Sequence, residues 1–218
     1  MICDLDSSLV FINVGDSRSI MSKNNGSELM ICTYDHKPQF FGEMQRVFKA
    51  GGQLYRVCNN RRTNETEIYN AFSHKDFLKV DRIPEESGDR IFGPWRVKPG
   101  GLSVSRTFGD IEAKIPELGG MKNVVSAEPE IQIIPYSTDI DYVMLGCDGI
   151  FDSLTNEEVN AIIWETIEYY RDIKSLNRDN LADCLNDCVN NVLKKSLINQ
   201  SEDNVTVILI MFRDIVDN

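Results

Sequence analysis

Apolar residues in this chain fall first at strand spacing and later at helix spacing. Residues 9–14, 19–22 and 28–33 are short apolar or alternating runs, separated by turn clusters such as Lys23-Asn24-Asn25-Gly26, and are predicted as strands. Residues 4–8 read as the turn of a hairpin whose return strand is 9–14. After Pro38 an amphipathic helix is expected over 43–50, ended by Gly51 and Gly52, followed by a strand over 53–58. Residues 59–92 are polar and charged with no sustained period, which predicts an inserted loop holding one short helix around 74–79. The stretch 111–126 carries Pro116, Gly119 and Gly120 and is expected to be loop-rich.

Residues 130–134 and 142–147 are again strand-like. Thr155 and Glu158 form a capping box that opens a helix running to Asp172, with Val159, Ile162, Ile163, Thr166 and Ile167 on one face. A second helix over 178–197 aligns Leu181, Leu185, Cys188, Val189, Val192 and Leu193, and 205–210 is a last apolar strand. Strands, then helices, then a strand imply an α+β class with antiparallel sheet layers and helices outside.

With 218 residues the chain is long enough for one sizeable core, and a single domain is expected. The net charge of −11 argues against a nucleic-acid partner, which needs a basic patch. No long uncharged apolar run suggests a membrane span or a signal peptide. The six cysteines show no Cys-x-x-Cys pair, and two histidines are too few for a zinc site, so free buried thiols in a reducing compartment are expected. The expected state is a monomer in the cytoplasm or nucleus.

Candidate chemistry lies in four aspartates, in three strings at strand ends. Asp16 sits in Asn13-Val14-Gly15-Asp16-Ser17-Arg18, Asp148 and Asp152 in Gly146-Cys147-Asp148-Gly149-Ile150-Phe151-Asp152, and Asp203 in Ser201-Glu202-Asp203-Asn204. A single Asp-Gly pair is a turn. Carboxylates at the rims of several strands suit a hard divalent cation, which takes oxygen ligands from a rigid scaffold. Between them, in order, lie Asp35-His36-Lys37-Pro38, Glu43 and Arg46, Gly51-Gly52, Gly101-Leu102-Ser103-Val104-Ser105-Arg106-Thr107-Phe108-Gly109-Asp110, Lys114, and Ala127-Glu128-Pro129-Glu130-Ile131.

This ordered set resembles the metal-dependent protein serine/threonine phosphatases of type 2C, over residues 2–212. The resemblance implies a β-sandwich flanked by helix pairs and a flap beside the active site at 111–126. It also implies Mg²⁺- or Mn²⁺-dependent hydrolysis of phosphoserine and phosphothreonine in protein substrates by a metal-activated water, with no covalent intermediate. Asp148 and Asp203 would ligate one of two catalytic ions. Asp16 and Asp152, with Asp148, would form the accessory site of a third ion used by some members. The family's upstream phosphate-holding Arg, acidic metal-ligand pair and Asp-Gly-His-Gly segment have no counterpart here. The chain is therefore expected to be the C-terminal two-thirds of a catalytic domain, N-terminally incomplete and inactive or nearly so alone. Arg106 and Asp110 are expected to pair and organise the flap, and Arg18 and Lys37 to be structural.

Two other readings remain open at this point. A phosphatase-like binding module would recognise a partner without hydrolysing anything. Asp4-Leu5-Asp6 imitates the nucleophile string of haloacid-dehalogenase-type phosphatases, but the two or three residues before it cannot supply the buried strand such a site needs.

Overall fold

A computed structural model describes the backbone of residues 2–5, 7–84 and 86–216 and the side chains of 7–84 and 88–216. Its first elements are β1 (Ile2–Leu5), β2 (Ser8–Asn13), β3 (Arg18–Lys23), β4 (Glu28–Ile31), α1 (Phe41–Lys49), β5 (Gln53–Asn60) and β6 (Thr66–Ala71). Next come α2 (His74–Asp81), β7 (Glu86–Ser87), β8 (Arg90–Phe92), β9 (Arg96–Lys98) and α3 (Ile111–Lys114). The order ends with β10 (Glu130–Pro135), β11 (Ile140–Gly146), α4 (Asp148–Phe151), α5 (Asn156–Asp172), α6 (Leu181–Ile198) and β12 (Val207–Met211). The elements gather into two compact units, Met1–Asp35 with Glu130–Asn218, and His36–Pro129.

The first unit is layered. One sheet has the order β1-β2-β10 and the other β12-β11-β3-β4, with antiparallel pairing throughout. Side chains alternate across a strand, so neighbours face opposite layers. Met21 and Val143 turn toward the first sheet and pack with Leu9, Phe11 and Ile134. Ile20, Tyr142 and Met144 turn the other way, onto α5 and α6. The expected antiparallel β-sandwich is present, and among the described elements two long helices cover its second sheet.

Helix α5 starts where the sequence predicts. Thr155 Oγ1 accepts from Glu158 N at 3.1 Å, and Glu158 Oε2 accepts from Thr155 N at 2.8 Å. Helix α6 starts three residues later than expected, because Asn177 Oδ1 accepts the backbone N–H of Asp179 at 2.8 Å and holds a turn. Cys184, Cys188 and Val192 are buried on its inner face.

Asp141, the second residue of β11, is completely buried. Its carboxylate accepts from Ser22 Oγ at 3.2 Å, Asn25 N at 3.1 Å and Gly26 N at 3.0 Å, and pairs with Arg213 at 3.4 Å. Trp164 Nε1 donates to Ser22 Oγ at 3.0 Å and its ring roofs Gly26. Gly26 has φ +80°, and a Cβ there would stand 2.5 Å from the indole, so this turn admits only glycine.

The second unit revises the expectation for 59–92. In place of an inserted loop, this stretch completes an antiparallel sheet of order β6-β5-β8-β7, with β9 also on β5, and the short helix is α2. Strand β6 is almost wholly exposed, so no apolar alternation marks it, and backbone pairing to β5 holds it in place. Leu54, Ala71, Phe77, Trp95 and Val97 pack with Met44 and Val47 of α1 as the core.

At the start of α1 the buried Glu43 is gripped by two arginines. Arg106 reaches Oε1 at 2.6 and 3.1 Å, Arg46 reaches Oε2 at 2.8 and 3.2 Å, and Ser105 Oγ donates to Oε2 at 2.5 Å. Burial alone would raise the Glu43 pKa. The bonds from Arg106, Arg46 and Ser105 outweigh it and lower the pKa to about 2.

The unfolded chain titrates Glu43 near the ordinary value of about 4.3, so its contribution is complete above that pH and disappears as pH falls toward 2. Acid unfolding of the wild type is expected to lose about 3 kcal/mol over this window through Glu43. Glu43→Gln should flatten that part of a stability–pH curve measured in urea, and an unchanged curve would refute the assignment. Asp141→Ala leaves three donors and Arg213 without their acceptor and is expected to cost about 3 kcal/mol or more. Urea unfolding checks this, and a loss below about 1 kcal/mol would show the carboxylate to be dispensable.

Candidate metal centre

The predicted ligands all lie in the first unit, on the connections at one end of the second sheet. Strands β11 and β12 are neighbours, with Gly146 opposite Val207. Asp148 follows Gly146 by two residues and begins α4, and Asp203 precedes Val207 by four, so the pairing alone brings their loops side by side.

Close contacts stitch those loops. Cys147 N donates to Thr206 O at 3.2 Å. Cys147 Sγ accepts from Thr206 N at 3.2 Å and donates to Asn204 O at 3.1 Å. Ser201 Oγ donates to Gly149 O at 2.7 Å. Gly149 abuts the partner loop so closely that a Cβ would lie 2.3 Å from Asn204 O, which explains the glycine without any appeal to chemistry.

Each aspartate is turned by its own loop. Asp148 Oδ1 accepts from Gly149 N at 2.9 Å and Asp203 Oδ1 from Asn204 N at 2.7 Å. Asp148 is half-buried and Asp203 exposed. Among the described residues neither Oδ2 accepts a hydrogen bond. Two oxygen-only donors at adjacent strand ends fit a hard cation such as Mg²⁺ or Mn²⁺.

Asp16 stands between β2 and β3, half-buried, and Asp152 is exposed and ends α4. Asp152 also lines a cleft of about 340 Å³ with Arg18, Phe151 and the start of α5. Among the described residues, no three His, Cys, Asp or Glu side chains form a group that could hold a metal ion. The structure thus adjoins the loops of Asp148 and Asp203 but does not assemble Asp16, Asp148 and Asp152 into a three-carboxylate cluster.

Arg18 is structural here. It forks onto the buried Asp35 at 2.8 and 2.9 Å, donates to Asn156 Oδ1 at 2.8 Å, and lies 4.6 Å over the Phe151 ring. Expected to pair with Asp110, Arg106 forks onto Glu43 and donates to Glu128 O at 3.0 Å. Lys114 Nζ holds the carbonyls of Thr107 and Gly109 at 2.7 and 2.6 Å. Within 111–126, Pro116–Leu118 forms a short 3₁₀ turn after α3.

Cys32, Cys58, Cys184 and Cys188 are free and buried as expected, and burial pushes the Cys32 thiol up to about 12. Cys147 is only half-buried, because its thiol lies at the seam between two loops. Sequence reasoning missed Cys147, Ser201 and Asp141, since no spacing rule connects residues that meet only through strand pairing. Asp4 faces Leu9 in the hairpin of β1 and β2, and its side chain lies outside the described residues. An antiparallel hairpin is not the strand the dehalogenase-type reading requires.

The protein phosphatase 2C family model matches residues 1–205. "Probable protein phosphatase 2C 58" of Oryza sativa subsp. japonica is 26% identical over 209 residues, covering 95% of this chain and 44% of the rice protein. "Protein phosphatase 1B" of Homo sapiens is 27% identical over 205 residues, covering 94% of this chain and 32% of the human protein. Among solved structures, a C. elegans sex determining protein superposes with a TM-score of 0.64 at 22% identity, over 97% of this chain and 38% of that one. A phosphatase from a pathogenic strain of Toxoplasma gondii gives 0.60 at 24%, over 94% and 48%. These two establish likeness of fold. The chain spans less than half the length of the curated relatives it matches. Its match across nearly the whole sequence, with the sandwich architecture, places the chain in the protein phosphatase 2C family.

Proposed function

We propose that this chain serves a metal-dependent phosphatase acting on phosphoserine and phosphothreonine in proteins, with Asp148 and Asp203 holding one Mg²⁺ or Mn²⁺. The observation that carries the reading is the pair of carboxylates on stitched, adjacent loops, each with one oxygen oriented by an amide and the other accepting no hydrogen bond among the described residues. Family membership supports the reaction class.

When bound, two such ions supply a nucleophilic water at neutral pH and neutralise charge on the phosphoryl oxygens. Asp148 and Asp203 contribute two donors to the first, and the remaining oxygens come from beyond this pair. For an accessory ion Asp16 and Asp152 would have to move to join Asp148, since the described residues do not gather the three. Arg18, already bidentate to Asp35, braces the loop after β2 and does not hold phosphate. Among the described residues no helix is long and apolar enough to cross a membrane. A cytoplasmic or nuclear monomer acting on phosphoproteins fits the free thiols and the acidic charge.

A catalytically silent binding module is the second reading, favoured by the lack of a three-carboxylate group among the described residues. One assay separates the two. The longest product of the gene, given a phosphothreonine peptide and millimolar Mn²⁺, is expected to turn over and to stop on chelation. Asp148→Asn and Asp203→Asn should each lower turnover by about 100-fold or more without shifting the melting temperature appreciably. Turnover that survives the chelator would sink the metal assignment, and Mn²⁺ binding without turnover would select the silent module.

A further inference from the structure

We propose that Cys147 is a positioning residue for the Asp148–Asp203 pair, its thiol fixing the separation of the two carboxylates. The inference rests on the metal reading above and names a device within it. Cys147 immediately precedes Asp148. Its Sγ donates to the carbonyl of Asn204, the residue after Asp203, and accepts the amide of Thr206. A single sulfur therefore touches the second loop on both sides of Val205. It does so as donor and acceptor together, which an aliphatic side chain cannot copy.

The rest of the seam makes the thiol the adjustable part. The backbone bond from Cys147 N to Thr206 O continues the β11–β12 ladder and survives any side-chain change. On the far side of Asp148, Gly149 is jammed against Asn204 O and its own carbonyl is held by Ser201. Backbone contact thus sets how near the loops come at Gly149. The thiol grips that same Asn204 carbonyl together with the Thr206 amide, and so sets how firmly Asn204, and with it Asp203, is held. Sulfur bonds are individually weak, so the global stability depends little on them. Partners that orient metal ligands nonetheless matter to affinity, where their loss typically costs about 10- to 100-fold.

Mn²⁺ affinity is measured on residues 1–218 from the free-ion electron paramagnetic resonance signal, alongside amide exchange of Thr206. Cys147→Ala is expected to weaken Mn²⁺ binding about tenfold and to speed Thr206 exchange, with little change in melting temperature. Cys147→Ser, which keeps a donor and an acceptor, should restore both readouts. If Cys147→Ala binds as the wild type does while Asp148→Asn binds weakly, the positioning role is wrong and the metal reading stands. If Asp148→Asn and Asp203→Asn bind Mn²⁺ as the wild type does, the metal reading fails and the positioning role falls with it. If Cys147→Ser behaves as Cys147→Ala does, the thiol's hydrogen bonds are not what holds the loop.

Discussion

Strand β11 is buried on both faces, and the first unit is built around that fact. Tyr142 and Met144 meet the helices while Val143 meets the first sheet, so any slip of one residue would exchange two cores. Its register with β3 on one side and β12 on the other is fixed by this double burial. Everything at the ends of β11 inherits its position from that register.

The two ends are used differently. At the first, Asp141 enters the core as a charge and survives there because three donors and an arginine converge on it. The result is a rigid β3–β4 turn under Trp164. At the other end the chain leaves the sheet at Gly146, and polar atoms meet across the seam to β12. There Asp148 is half-buried and Asp203 exposed, each oriented by a neighbouring amide and, among the described residues, not by opposite charge. A buried, satisfied carboxylate gives structure; an oriented one with an oxygen to spare gives a candidate ligand.

Glu43 makes the same distinction in the second unit. Although it lies among residues that carry the family likeness, both its oxygens are taken by Arg46, Arg106 and Ser105. The cluster joins α1 to the segments at 105–106 and 123–124, where Arg46 also holds the carbonyls of Asn123 and Val124. Its charges are used up in holding three pieces of chain together, which is a scaffold's task.

Local pattern was enough for the elements that bury one face or both. The period-3.6 stripes of α5 and α6, the capping box at Thr155, the apolar runs of β2, β3 and β11, and the hairpin ahead of β2 were all legible, because burial imposes a spacing on the sequence. The three aspartate strings were legible as well, since carboxylates beside β-branched strands form a short-range signal. Strands β6, β7 and β8 were not, because they are held by backbone pairing and show no side-chain period. Nor did Arg106 announce Glu43 as its partner across 63 positions. The sequence by itself determined which segments are strands or helices, which family they belong to, and which carboxylates are candidates. Only the tertiary structure decided that the loops of Asp148 and Asp203 adjoin, that Cys147 and Gly149 touch the Asp203 loop, and that Asp141 and Glu43 are structural. Those are contacts between distant segments, fixed by strand register and packing, and no local period encodes them.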